Sequence, residues 1–430
     1  MKKVLIITYY WPPSGGAGVQ RWLKLTRYLP ELGWLPIVIT VHPEDASYPL
    51  YDESFDKEVH ESVKVIRTRS RELFGIYRKI SGSKKIPYGG FANEQEDNFI
   101  QKVARFIRGN FVLPDSRKGW NRFAFRSAVE LIRKEEGIEC IITSSPPHST
   151  QLTGLKLRKK FGITWIADLR DPWTDIYYYR QLYPTFPAHK LNLHYEHKVM
   201  RSADKILTVG PFLKDLFTAK HRLDPDKVEI LYNGFDPSDF QNLPEPKKNF
   251  FRISYIGTLS DVYPVESFTR VILDLLKEIP AIRLRFIGAV SSSQRRKLSQ
   301  IPSENIEYIG HVSHHEAIRQ MAQSSLLLLI IPEHETSRGI LTGKIFEYMA
   351  SGRPVVGIGP VDGDAARILE ESNAGRMVDF KDEKGLKATL LDYFRKFNDN
   401  NLPATRPPLR YSRENLAGRL VQVMSDLVKY

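Results

Sequence analysis

Lys344 and Glu347 stand one helical turn apart in the stretch Ser337-Arg338-Gly339-Ile340-Leu341-Thr342-Gly343-Lys344-Ile345-Phe346-Glu347-Tyr348-Met349-Ala350-Ser351-Gly352-Arg353-Pro354-Val355-Val356. The pattern predicts a glycine-bearing loop, a short helix and then a buried strand. Backbone N–H groups at a helix start attract phosphate oxygens, and Lys344 adds a full charge that the helix dipole disfavours there, so an anion is expected nearby. Glu347 falls on the same helix face, where its carboxylate can accept hydrogen bonds from two sugar hydroxyls. Diphosphate and ribose would then be held side by side. The alternative, which stays open at this level, is an ordinary surface ion pair on a helix cap.

The first half carries a second set. Gly15, Gly16 and Gly18 follow a strand and precede a helix that begins with Gln20 and Arg21. Glycines let a turn approach a ligand closely. Gly-Gly-Ala-Gly-Val-Gln does not have the spacing of a dinucleotide fingerprint, and no acidic residue suitably ends the second strand, which argues against an oxidoreductase. His148, in Ser-Ser-Pro-Pro-His-Ser-Thr, is placed either to orient an acceptor hydroxyl or donate to a sugar, or to cap a helix beginning near Ser149. Asp168, Arg170 and Asp171 read either as a structural ion-pair set or as a site in which Asp171 positions and partly deprotonates an acceptor hydroxyl. Trp173 and Tyr177-Tyr178-Tyr179 would form an aromatic wall for a sugar or lipid, or a packed loop. Two acidic triplets, Asp224-Pro225-Asp226 and Asp362-Gly363-Asp364, sit in apparent turns, where these residue types serve the backbone. No metal is expected.

These residues need a scaffold. A chain of 430 residues exceeds one ordinary core, and 42% hydrophobic with 26% charged residues is a globular composition. Short apolar runs alternate with amphipathic segments, the rhythm of βα units in a parallel sheet. Strands are expected at Val4–Thr8, Leu35–Thr40, Val63–Thr68, Cys140–Ser144, Trp165–Asp168 and Lys205–Val209, with helices at Val19–Leu32, Asn121–Lys134, Ser149–Lys160, Tyr195–Ser202 and Phe212–Lys220. A second α/β sheet follows, with strands at Phe251–Ile256, Leu284–Ile287, Ile306–Tyr308, Leu326–Ile331, Pro354–Ile358 and Gly375–Val378 and helical segments such as Glu266–Lys277 and His314–Gln323. The stretch with Pro244, Pro246, Lys247 and Lys248 reads as a linker. Domains are therefore expected over 1–240 and 250–408, with a helix over 409–430 closing back on the first.

The start of the chain reads as a buried strand rather than a signal peptide, since no small-residue cleavage site follows the short apolar run. The longest apolar run, around Leu326–Ile331, falls far short of the roughly 20 residues that span a bilayer. One cysteine, Cys140, excludes an intramolecular disulfide and a multi-Cys zinc site, and fits a reducing cytoplasm. The excess of 63 Lys+Arg over 50 Asp+Glu, +13 in all, favours anionic partners. No nucleic-acid-binding signature is found, which leaves phosphorylated substrates or a membrane surface. Between residues 84 and 134, Lys84, Lys85, Arg105, Arg108, Arg117 and Lys118 are interleaved with Phe99, Phe106, Phe111 and Trp120. This segment reads either as a basic amphipathic patch on anionic lipid or as a helix packing its apolar face on its own domain.

Taken together, the glycine turn at Gly15-Gly16-Ala17-Gly18, the Asn233-Gly234-Phe235-Asp236 junction and Lys344-Ile345-Phe346-Glu347-Tyr348-Met349-Ala350-Ser351-Gly352-Arg353-Pro354-Val355 resemble the retaining GT-B glycosyltransferases of family 4, over nearly the whole chain. The resemblance implies two Rossmann-like domains facing each other across a cleft, a nucleotide-sugar donor in the second and a glycan or lipid-linked acceptor in the first. It implies transfer without a metal, and the charge of +13 with the basic aromatic segment favours a membrane-associated acceptor, as in surface polysaccharide synthesis. Glu347 would hold the ribose. Lys344, with Arg338 and the N–H groups of Gly339, Leu341, Thr342 and Gly343, would hold the diphosphate, and Gly16 would approach the donor. Gly15, Arg21, His148, Arg170 and Trp173 would meet the acceptor, with His148, Asp171 and Lys344 catalytic. Two departures stand out. Gly339 occupies the place of a second glutamate found in many members, with Glu333 and Glu335 out of register. The segment Tyr255-Ile256-Gly257-Thr258-Leu259-Ser260 lacks the Arg and Lys that many members carry. A GT-B epimerase, a non-catalytic nucleotide-sugar binder and a storage-polysaccharide synthase are the alternatives.

Overall fold

A computed structural model describes residues 1–72, 99–246 and 249–428; Lys84, Lys85, Lys247 and Lys248 lie outside the described residues. The chain divides into two compact units, the first built from 1–72, 99–232 and 413–428, the second from 233–246 and 249–412.

Among the described residues the first unit holds a seven-stranded parallel sheet in the order β3-β2-β1-β4-β5-β6-β7, formed by β1 (Lys2–Ile7), β2 (Trp34–Val41), β3 (Lys64–Thr68), β4 (Ile138–Ser145), β5 (Thr164–Leu169), β6 (Lys205–Thr208) and β7 (Val228–Ile230). After Lys2 and Lys3, β1 runs unbroken apolar from Val4 because both its faces are covered there: Leu5 and Ile7 join one core, Val4 and Ile6 the other. The Arg413–Val428 helix belongs here. Its Leu416, Ala417, Leu420 and Met424 pack into the same core as Val4, Ile6 and Trp22.

The second unit is a six-stranded parallel sheet in the order β10-β9-β8-β11-β12-β13, from β8 (Phe251–Ile256), β9 (Ile282–Ile287), β10 (Ile306–Ile309), β11 (Leu326–Ile330), β12 (Val355–Ile358) and β13 (Gly375–Val378). All five residues of β11 are buried. Both sheets are Rossmann-like, and each reverses strand order once near its middle: between β1 and β4 in the first, and between β8 and β11 in the second. At such a reversal the loops leave in opposite directions and open a crevice beyond the strands' carboxyl ends. No helix among the described residues is long and apolar enough to cross a membrane.

Candidate active site

In the second unit the Lys344–Ala350 helix follows β11 and sets Lys344 over the loop that leaves β8. Tyr348 locks that placement, its hydroxyl accepting the Ile256 N–H at 2.9 Å. The Lys344 ammonium donates to the Tyr255 hydroxyl at 3.2 Å and sits 4.5 Å from the centre of its ring. Gly257, at φ 126°, makes room: a Cβ there would lie 2.6 Å from Lys344 Nζ. A basic group from another element thus lies over the β8 loop, which carries none of its own. Burial pushes the Lys344 pKa down to about 8, against an opposing pull from Glu347. A poorly solvated ammonium with donors to spare is a good partner for a diphosphate.

One turn on, Glu347 Oε1 lies 3.0 Å from Nε2 of His314, both side chains being largely buried. His314 opens the His314–Ala322 helix, which Ser313 caps. Its role is invisible in sequence because its partner is 33 residues away. Close by in the chain, Thr342 Oγ1 is buried without a protein partner.

Other groups expected at the donor site have protein partners of their own. The Gly339 and Ile340 N–H groups close a tight turn onto Thr336 O and Ser337 O at 3.0 and 3.1 Å, so neither is aimed at an anion. Arg338 forms an exposed ion pair with Asp362 at 2.8 Å. That pair accounts for one carboxylate of the second acidic triplet. In the first, Asp224 Oδ1 accepts the Asp226 N–H at 2.9 Å, a local turn.

In the first unit, Gly15 and Gly16 lead from β1 into the Ala17–Tyr28 helix, with Gly16 at φ 83° and the Gly15 N–H bonded to Leu50 O. Arg21 does not face an acceptor. It is 1% exposed and grips Asp168 with Nη2 at 2.8 Å and Nε at 3.2 Å, while Nη1 donates to Leu231 O at 2.8 Å and Tyr232 O at 3.0 Å. Asp168 also accepts from Trp22 Nε1 at 3.0 Å and Ser144 Oγ at 2.8 Å. The ion pair at the end of β5 is therefore Arg21–Asp168, a clip between helix and sheet. Arg170 instead donates to Ser145 O and Gly18 O, each at 3.1 Å, and ties the glycine turn to the end of β4.

His148 opens the Ser149–Phe161 helix without capping it. Asp115 is the cap, accepting the Ser149 N–H at 2.7 Å and the Ser149 hydroxyl at 2.9 Å. Released from that duty, the imidazole stacks on Trp173 with ring centres 5.0 Å apart, and neither of its buried nitrogens has a protein partner. Burial lowers its pKa, while Asp171 pulls the other way. At neutral pH the ring is uncharged, with one donor and one acceptor to offer. Trp173 is 3% exposed and donates to Asn192 at 3.3 Å, so it backs the imidazole rather than forming an open wall. Tyr179 is likewise buried.

Residues 88–239 match the family described as Glycosyltransferase Family 4, and residues 251–396 that described as Glycosyl transferases group 1. A search of curated proteins finds no relative by sequence. Among solved structures, Alr3699/HepE of Anabaena, crystallised with UDP and glucose, is 14% identical, with 99% of this chain and 100% of that one covered at a TM-score of 0.60. A glycosyltransferase of Rickettsia africae is 14% identical, with 100% and 99% covered at 0.61. An enzyme of Listeria monocytogenes described as a putative UDP-N-acetylglucosamine 2-epimerase is 12% identical, with 100% and 97% covered at 0.55. The two family matches define a glycosyltransferase, and the structural neighbours define its fold as GT-B.

Proposed function

We propose that the protein moves a sugar from a nucleotide diphosphate donor to a hydroxyl of a glycan or lipid-linked acceptor, with retention of anomeric configuration and without a metal ion. The observation that carries this reading is the Lys344 ammonium, held between Tyr255 and Gly257 at the strand-order reversal of the second unit, with Glu347 one turn away. Lys344 binds the diphosphate and offsets the charge that grows as it leaves, helped by the Leu341, Thr342 and Gly343 segment. Glu347, steadied by His314, binds the ribose hydroxyls. HepE holds UDP and glucose, which makes UDP-sugars the first donors to try.

In the transfer, the bond from the anomeric carbon to the diphosphate oxygen breaks and a bond to the acceptor oxygen forms on the same face. The acceptor proton passes to the departing diphosphate, so no protein nucleophile is needed. His148 hydrogen-bonds a sugar hydroxyl through its unpartnered nitrogens, and Asp171 orients the acceptor. A role in surface polysaccharide assembly in the cytoplasm is consistent with the lone buried thiol, Cys140.

Two variants test these assignments. Glu347→Ala should weaken nucleotide binding by roughly tenfold or more, the order of a lost charge-assisted hydrogen bond, with the melting temperature of the empty protein little changed; calorimetric titration with UDP, GDP, ADP and dTDP reads this. Unchanged affinity would remove Glu347 from the ribose site. His148→Phe keeps the stack on Trp173 but removes both nitrogens. It should lower kcat by about 10²-fold while leaving nucleotide affinity intact; wild-type turnover would sink the assignment. Conversion of donor in the absence of acceptor would point to the epimerase reading.

A further inference from the structure

On the inward side of the Phe186–Ser202 helix, Asn192 and Glu196 stand one turn apart between the buried Ala188 and Val199, at 2% and 0% exposure. Both reach the same neighbour, the segment that follows β5. Asn192 Oδ1 accepts from Trp173 Nε1 at 3.3 Å, and Glu196 Oε2 accepts from the Thr174 hydroxyl at 2.6 Å. Lys220, at the end of the Pro211–His221 helix, closes the group. Its ammonium donates to the Thr174 hydroxyl at 2.6 Å, to Asp175 at 2.5 Å and to the two Glu196 oxygens at 3.1 and 2.9 Å. Beside it, His221 Nε2 lies 3.4 Å from Glu196 Oε1, and His221 Nδ1 lies 3.3 Å from His197 Nδ1.

Burial pushes the Glu196 pKa up, but His221, Lys220 and Thr174 outweigh it and keep the carboxylate ionised. Stability alone does not call for such a group, because an apolar set of similar volume often serves a buried site as well or better. What a carboxylate adds is a directed acceptor at a fixed place. Here that place is the residue after Trp173. The His148 imidazole stacks on Trp173 with ring centres 5.0 Å apart and planes 13° from parallel, and no protein hydrogen bond orients either of its nitrogens. Its plane is therefore set by the indole beneath it. The indole is held directly by Asn192 and, through the backbone of Thr174, by Glu196.

We propose that Glu196 is a positioning residue for His148, acting through Thr174 and Trp173 and touching no substrate. Its effect on turnover rests on His148 meeting a sugar hydroxyl, as proposed above; the placement of the ring does not.

The test is NMR of the full chain labelled with ¹³C-histidine and without ligand, the His148 Cε1–H signal being the one absent from His148→Phe. His148 faces Asp171, Asp115 and Glu196, which favour its protonated form, and Arg170, which opposes it. Thr174→Val keeps the side chain's shape and the Glu196 charge but removes the hydroxyl link. It should displace or broaden the His148 signal at a pH where the ring is neutral. Glu196→Gln should do the same and lower the His148 pKa further, because a favourable charge goes while Lys220 stays. A His148 signal unmoved in Thr174→Val would overturn the proposal and leave Glu196 a matter of charge and stability; this conservative variant decides the question even where Glu196→Gln fails to fold. In sugar transfer, Glu196→Gln should lower kcat by about tenfold with the donor KM unchanged, since His148 keeps its nitrogens and loses placement. In a His148→Phe background the same change should cost nothing further, and a full additional loss there would show that Glu196 acts through some other group. Wild-type turnover in His148→Phe itself would remove the catalytic role of His148 while leaving the NMR result on its placement intact.

Discussion

Lys344→Ala is expected to lower kcat/KM for sugar transfer by about 10²- to 10³-fold, the usual cost of losing one preorganised group that meets developing charge. The variant should still fold, since the side chain contributes an ammonium to a loop and not a core contact. Arginine should not rescue it. Gly257 leaves space for an amine, and a planar guanidinium is larger and differently directed. The same group sets a pH dependence. With the amine at about pKa 8 in the empty site, its charged form dominates below that pH and is lost above it. Nucleotide diphosphate affinity should therefore be level, as far as this group is concerned, up to about pH 8 and then fall, approaching tenfold per unit. Titration of the wild type and the alanine variant across this range separates the effect from other groups, because the variant should show no such step. An equal decline in both proteins would remove Lys344 as its origin.

Asp168→Ala should be among the most destabilising single changes in the first unit. It strands the Arg21 guanidinium in the interior and removes the acceptor of Trp22 Nε1 and Ser144 Oγ together. Breaking one side of a buried pair costs about 3–5 kcal/mol, which for a unit of this size lowers the melting temperature by roughly 10 °C. Arg21→Met should cost less than Asp168→Ala. The double variant Arg21→Met/Asp168→Ala should be less damaging than the two single changes added together, because no unpaired charge remains. Chemical denaturation of the four proteins checks this. If Arg21 were instead an acceptor ligand, Arg21→Met would raise the acceptor KM at temperatures well below unfolding while leaving stability alone.

The contrast between Arg21 and Lys344 shows where sequence reading succeeds and where it stops. The apolar runs of β1 and β11 are legible because every residue in them is buried on one face or the other. The Lys344–Glu347 pair is legible because its spacing is local, one turn of one helix. Arg21 and Asp168 are 147 residues apart, and nothing in either neighbourhood announces the partner. The same holds for Asp115 as the cap beside His148 and for His314 beside Glu347. A polar residue next to a glycine turn looks the same in sequence whether it faces a ligand or the core. β7 escapes notice because it is only three residues long. The helix expected from Tyr195 begins at Phe186, its first turn hidden by Pro187, which is well tolerated at a helix start. The Phe99–Phe111 segment is legible as a helix from its period, but period alone does not say which face meets the protein.

The most direct test of the donor site is a thermal-shift titration of the wild type, Lys344→Ala and Glu347→Ala against UDP-, GDP-, ADP- and dTDP-sugars, with and without a chelator. A ligand that binds only the native state raises its melting temperature. One nucleotide class should stabilise the wild type with the chelator present and stabilise either variant much less. Absence of a shift with every nucleotide-sugar, or an equal shift in Lys344→Ala, would contradict the donor site described.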